Sequence, residues 1–298
     1  MEQVEALAPT TTPARPRAPM PMAWLGVIPF FSFAALFLLL PTAYLVVGAF
    51  QDDGGRPTLS NIAGLWDPGI LSAYAISLEV SAASAVLGAG CGVLLAWAVV
   101  LGGLPAWLRP VLLTFSGVAS NFAGLPLAFA FIATLGRTGL ATAILQTVFG
   151  FSLYRAGFNI LSFSGLTLTY LYFQIPLMVL IITPALDGLK TEWREAATIL
   201  GASPFAYWRY VVMPILWPSL LGTTLLLFAN AFGAIATAYG LTGSTLNLVT
   251  ILLYAQIRGD VLHNPHLGYA LALGMVVVTG ASNALYIVLR TRHERWIR

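Results

Sequence analysis

The sequence predicts an all-α membrane protein with six transmembrane helices. Three observations carry that prediction. Of 298 residues, 58% are hydrophobic and only 8% are charged, where a soluble domain has about a quarter of its residues charged. Uncharged stretches recur at lengths near the ~20 residues that a helix needs to cross the hydrocarbon core. The segments between them are polar, turn-rich or basic.

Taken in order, residues 1–22 carry five prolines, Pro9, Pro13, Pro16, Pro19 and Pro21, with Arg15 and Arg17 among them. That composition predicts a disordered tail. The run 24–50 has no charge and is too long for the apolar core of a cleaved signal peptide, so it reads as the first span. Residues 51–71 hold Asp52-Asp53-Gly54-Gly55 and Asp67-Pro68-Gly69 and read as turns. The second run, 80–108, contains Gly88 and Gly92 at the spacing that lets two helices approach closely. Arg109 interrupts it. The third and fourth runs cover 110–136 and 156–186, the fifth lies within 214–238, and the sixth covers 267–289. Two shorter apolar stretches, 138–154 and 246–257, are expected to lie outside the bilayer or dip into it. The result is one membrane domain over 23–290, with a charged loop at 187–213 and a basic tail at 291–298.

With six spans, ten basic residues fall on the side of the N-terminus: Arg15, Arg17, Arg109, Lys190, Arg194, Arg209, Arg290, Arg292, Arg295 and Arg298. Four fall on the other side: Arg56, Arg137, Arg155 and Arg258. Cytoplasmic loops carry the excess of Lys and Arg, so both termini and the charged loop are expected in the cytoplasm.

That loop has an internal logic. Glu195, Ala196, Ala197 and Leu200 fall at helical spacing. Gly201 ends the helix, as a residue free to take positive φ does. Ser203 can cap a second short helix with Pro204 in its first position, and Pro214 marks the return to apolar sequence. This stretch resembles the Glu-Ala-Ala loop of the integral membrane permeases of ATP-binding-cassette importers. The pattern there is Glu-Ala-Ala, three residues, Gly, nine residues, then Ile-x-Leu-Pro. Here Glu195-Ala196-Ala197 is followed by Gly201, then nine residues from Ala202 to Tyr210, then Val211-Val212-Met213-Pro214. The resemblance implies the type I importer permease fold. It also implies that Glu195, Ala196, Ala197, Gly201 and Pro214 belong to a coupling element that docks on a separate ATPase. The implied partners are two such ATPases, a second identical or related permease, and an extracytoplasmic solute-binding protein.

Other chemistries lack their residues. A phosphate-cradling P-loop needs Gly-Lys followed by Ser or Thr, and the single lysine, Lys190, follows Leu189. No cofactor is expected in this chain, and ATP is expected on the partner. His263, His266 and His293 lack a partner set for a metal, and Cys91 stands alone. A stand-alone secondary transporter would need several carboxylates in its spans, and only Glu79 lies in one.

Polar side chains within spans must face protein or water. Asn121, Gln174 and Asn230 are therefore candidates for the translocation pathway, with an interhelical hydrogen bond as the alternative role for each. Pro126, Pro176 and Pro184 are candidate kinks. Within the resembled family, Phe232-Gly-Ala-Ile-Ala-Thr-Ala-Tyr-Gly-Leu-Thr-Gly243 and Gly268-Tyr-Ala-Leu-Ala-Leu-Gly-Met275 look most like spermidine/putrescine permeases. Permeases for ferric iron, phosphonates or sugars share much of that pattern.

Overall fold

The structure, a computed structural model, describes residues 22–258 and 263–297. Apart from Met22, the tail expected at 1–22 lies outside the described residues. The chain forms two units, one through Val47 and one from Gly48 onward.

Helix α1 comprises Met22–Ala34, a π turn over Ala35–Leu39, and Leu40–Ala49. The π turn ends just before Pro41. Proline has no N–H and its ring crowds the carbonyl one turn back. Widening the preceding turn accommodates both, and the Leu40 N–H donates to the Ala35 carbonyl instead.

After a short helix, α2 (Ser60–Gly64), comes α3 (Pro68–Leu101). The second span therefore begins twelve residues before the expected 80, and Glu79 lies exposed along it. Asp67-Pro68-Gly69 is a helix start rather than a turn. The Asp67 carboxylate accepts the Gly69 N–H at 2.8 Å, and Pro68 fills the first helical turn.

The third run is not one helix. It is divided into α4 (Leu108–Asn121) and α5 (Leu125–Leu135), broken at Phe122–Gly124. Gly124 sits at φ +80°, which a residue with a Cβ rarely adopts. Helix α6 (Leu140–Phe149) follows, and then α7 (Phe163–Asp187), with Pro176 and Pro184 inside an unbroken helix.

The charged loop forms α8 (Thr191–Ile199). Helix α9 then runs through Pro204–Tyr207, a π turn at Trp208–Val212, and Met213–Phe232. The second short helix expected from Ser203 is thus continuous with the fifth span. Its π turn ends just before Pro214, as the one in α1 ends before Pro41, and the Met213 N–H donates to the Trp208 carbonyl. The fifth span ends at Phe232, inside the expected 214–238, and α10 (Ile235–Thr242) restarts after Gly233–Ala234. The chain closes with α11 (Val249–Arg258) and α12 (Pro265–Ile297). Helix α12 continues past 289 into the stretch expected as a tail.

Six helical segments among the described residues are long and apolar enough to cross a membrane. By length and hydropathy alone, the third would run Leu125–Phe149. Two bonds argue for α4–α5 instead. Arg109 and Asp187 pair at 2.6 Å, which places the start of α4 beside the end of α7. The Tyr154 hydroxyl donates to the Leu135 carbonyl at 3.0 Å, which closes the loop containing α6 back onto the end of α5. A ten-residue helix inside that loop spans only about 15 Å. The stretch 138–154 thus leaves and returns at one end of the bundle, and α8 lies at the other.

Helix α7 is central. Leu166, Phe173, Met178, Ile182 and Leu186 are buried along it. Helix α3 lies closely against it, through Gly88 and Gly92. A Cβ at Gly88 would stand 2.8 Å from the Cβ of Gln174, and one at Gly92 would stand 2.5 Å from that of Met178. The glycine pair is therefore a close-approach site. Helix α11 packs on α3 and α12 and is anchored by the Val249 N–H, which donates to the Ser77 hydroxyl at 2.9 Å.

Candidate functional site

Two places combine the predicted residues with unusual geometry. The first is the loop at the α7–α9 end. In α8, Glu195 and Ala196 are exposed and Ala197 is half-buried. Gly201 lies at φ +75°, so the bend uses the conformation expected of it. Ser203 caps α9 by accepting the Ala206 N–H at 3.2 Å, and Pro204 occupies the first turn. The two alanines, with Trp193, Leu200, Val211 and Ile215, line an apolar hollow of about 340 Å³. Their small side chains leave that space open. Large apolar groups of the same loop stand out: Leu200, on the rim of the hollow, is 85% exposed, Ile199 86% and Phe205 74%. Pro214 is half-buried in α9, directly after the π turn.

The second place is where the two broken helices meet. The Gly124 N–H, freed by the break between α4 and α5, donates to the Thr237 hydroxyl of α10 at 2.7 Å. The Ala234 carbonyl, at the break between α9 and α10, accepts from the Tyr170 hydroxyl of α7 at 3.0 Å as well as from the Ala238 N–H of α10 at 3.4 Å. Non-helical backbone inside a membrane domain persists only where protein or a water-lined cavity satisfies it, and here each break is tied to a neighbouring helix. Asn121 is the last residue of α4 before the first break, and Asn230 stands three residues before the second. Both side chains are exposed. The Asn121 amide donates to the Gly117 carbonyl at 2.9 Å.

Gln174 has a different setting. It is fully buried between α7 and α3, and its amide donates to the Ser84 hydroxyl at 2.9 Å. Its Oε1 is buried with no partner among the described residues. The sequence does not single out Thr237, Tyr170 or Ser84. Threonine, tyrosine and serine are common in membrane helices, and nothing local marks these three. Gly124-Leu125-Pro126 does carry a breaking signal, a glycine two residues before a proline.

Comparison with known proteins agrees with this architecture. The chain matches the family model for "Binding-protein-dependent transport system inner membrane component" over residues 88–298. It is 27% identical over 237 residues to the sulfate transport system permease protein CysT of Salmonella typhimurium, covering 76% of this chain and 78% of that one. The sulfate transport system permease protein CysW of Escherichia coli is 29% identical over 227 residues, covering 72% and 71%. A bacterial ABC transporter involved in the import of the acidic polysaccharide alginate superposes with a TM-score of 0.73 at 14% identity, over 91% of this chain and 95% of that one. That likeness speaks to the fold. With the family model matched over most of the chain, six apolar helices and this topology, the protein belongs to the binding-protein-dependent inner-membrane components and is an inner-membrane permease of an ABC importer.

Proposed function

We propose that α8 and the start of α9 form the element through which a separate ATPase drives this permease. One observation carries the reading: a helix, a glycine bend at positive φ and a capped second helix frame an apolar hollow beside exposed Ile199, Leu200 and Phe205. Such a surface is shaped to receive a partner. In this reading Ala196 and Ala197 admit the partner's surface and Glu195 meets a basic group on it. Pro214, by setting the π turn, fixes how α9 leaves the loop. Two ATPases, a second permease and a solute-binding protein complete the importer. ATP hydrolysis belongs to the ATPases, and this chain supplies the path. The ten-to-four distribution of basic residues supports cytoplasmic termini and a cytoplasmic loop.

The path runs past the two helix breaks, with Asn121 and Asn230 on its wall. Gln174 belongs to the layer behind, and its free Oε1 can accept a hydrogen bond from solute or water only when α3 and α7 part.

The cargo is a small oxyanion of the sulfate type. The sulfate permeases among the relatives support this, as does a stretch without a carboxylate from residue 110 to 186, which contains the first break. A polyamine cargo, suggested by residues 232–243 and 268–275, would want carboxylates there. The test is uptake of radiolabelled sulfate, with spermidine as competitor, by the assembled importer in proteoliposomes with its own binding protein. Sulfate uptake unaffected by spermidine is expected. Spermidine uptake without sulfate uptake would overturn the cargo reading and leave the coupling reading standing.

A further inference from the structure

At the end of the bundle opposite α8, a cavity of about 440 Å³ opens between the end of α5, helix α6 and the loop leading to α7. Its lining includes Arg137, Thr142, Gln146 and Arg155. Three features make it unusual. First, it is basic and uncompensated. No Asp or Glu occurs between residues 110 and 186, and neither arginine has a carboxylate partner among the described residues. Arg137 is held over the ring of Tyr154, 5.6 Å from guanidinium to centroid, while Tyr154 is fixed by its bond to Leu135. Second, Thr142 is only 4% exposed, and its buried hydroxyl has no hydrogen-bond partner among the described residues. Buried hydroxyls are nearly always paired, so a donor is in place with nothing to receive it. Third, α6 has two different edges. Thr142 and Gln146, four residues apart, line the cavity. Leu140, Ile144 and Val148, also four apart and about 200° round the helix from the first pair, are exposed at 66%, 46% and 69%. That division of edges, though without charge on the polar one, suits a helix lying in the plane of a membrane surface.

We propose that this cavity is a binding site for a tetrahedral oxyanion, a phosphate- or sulfate-type group, at the membrane surface. Two guanidinium forks and a hydroxyl are the kinds of donor that such a group takes. The apolar edge of α6 lies where the acyl chains of a phospholipid would run if the oxyanion is a headgroup phosphate. The inference does not depend on what the importer carries.

The test uses the assembled importer in two arms. In one, the complex is equilibrated with equal amounts of phosphatidylglycerol and phosphatidylcholine, and the retained lipid is quantified by mass spectrometry. In the other, binding of radiolabelled sulfate and phosphate is measured by equilibrium dialysis with phosphatidylcholine alone. Wild type should retain phosphatidylglycerol selectively if the ligand is a headgroup, or hold the free anion if it is a soluble oxyanion. In whichever arm binds, the Arg137→Gln/Arg155→Gln variant should lose about tenfold or more, a tenfold loss being the equivalent of one charge-assisted hydrogen bond. Thr142→Val, which keeps the shape, should weaken binding several-fold, and Arg56→Gln should leave it unchanged. Wild type that binds in neither arm overturns the proposal. So does a double variant that binds like wild type, or loss that Arg56→Gln reproduces. Because binding is read without uptake, a wrong cargo assignment leaves these results unaffected.

Discussion

Gly201 gives the sharpest test of coupling. It stands at φ +75°, and a Cβ built there meets no atom within 4 Å. Neighbours therefore add nothing to the cost of a substitution, and the backbone sets it alone. Holding alanine in the left-handed region costs about 1–2 kcal/mol. At about 1.4 kcal/mol per decade, that lowers the population of the bent loop by roughly five- to thirtyfold relative to competing shapes. Asparagine visits this region far more readily. Gly201→Ala should therefore lower uptake and substrate-stimulated ATP hydrolysis together, Gly201→Asn should recover most of both, and Gly201→Asp should be the most severe, because it adds charge beside the apolar hollow. Expression and membrane insertion should be unchanged in all three, since the position is exposed and the backbone cost falls on the loop rather than on the spans. The assay is ATPase activity of the reconstituted complex with and without loaded binding protein, beside a pull-down of the ATPase. Full stimulation and full uptake by both Gly201→Ala and Gly201→Asp would refute the argument that this bend transmits the stroke.

Three further outcomes are expected. Gly92→Ala should destabilise the α3–α7 packing by about 1–3 kcal/mol, because its Cβ would lie 2.5 Å from that of Met178. Gly90→Ala, two residues away with nothing within 4 Å, should be neutral or stabilising; equal melting temperatures for the two in detergent would show that the close approach is unimportant. Asn121→Leu and Asn230→Leu should each reduce uptake while the complex still assembles, and normal transport by both would remove the helix breaks from the path. In a Cys91→Ala background, single cysteines at positions 15 and 298 should label only from the cytoplasmic side and one at 53 only from outside; labelling of position 53 from the cytoplasm would invert the topology.

How much of the structure is legible in the sequence depends on how local the cause is. The loop is legible residue by residue, because a glycine at positive φ, a serine cap and a proline in the first turn act within a few positions. The pairing of Gly88 and Gly92 is legible for the same reason, although its partner, Met178 and its neighbours on α7, is not. The break at Gly233–Ala234 is hidden inside an apolar run, and the one at Phe122–Gly124 is marked only by the glycine and proline of Gly124-Leu125-Pro126. Hydropathy reports the solvent, not the dihedral angles, and these breaks are held by Thr237 and Tyr170 from distant parts of the chain. The start of α3 is hard to read because Asp-Pro-Gly serves a turn and a helix cap equally well, and only the packing of the next few residues decides between them. Burial of Gln174 cannot be read at all, since an amide facing Ser84 and one facing water look alike in sequence.

The exposed Ile199, Leu200 and Phe205 also bear on how this subunit fares before assembly. Three large apolar side chains at the tip of a charged loop suit a docked complex and burden an orphan. A freshly inserted copy without its ATPase displays the kind of surface that chaperones bind and membrane proteases act on. Subunit stoichiometry would then be set after synthesis, by removal of unpaired copies. Overproduced alone, the chain should be short-lived, and co-production of its ATPase should lengthen its half-life without any change in the membrane-embedded part.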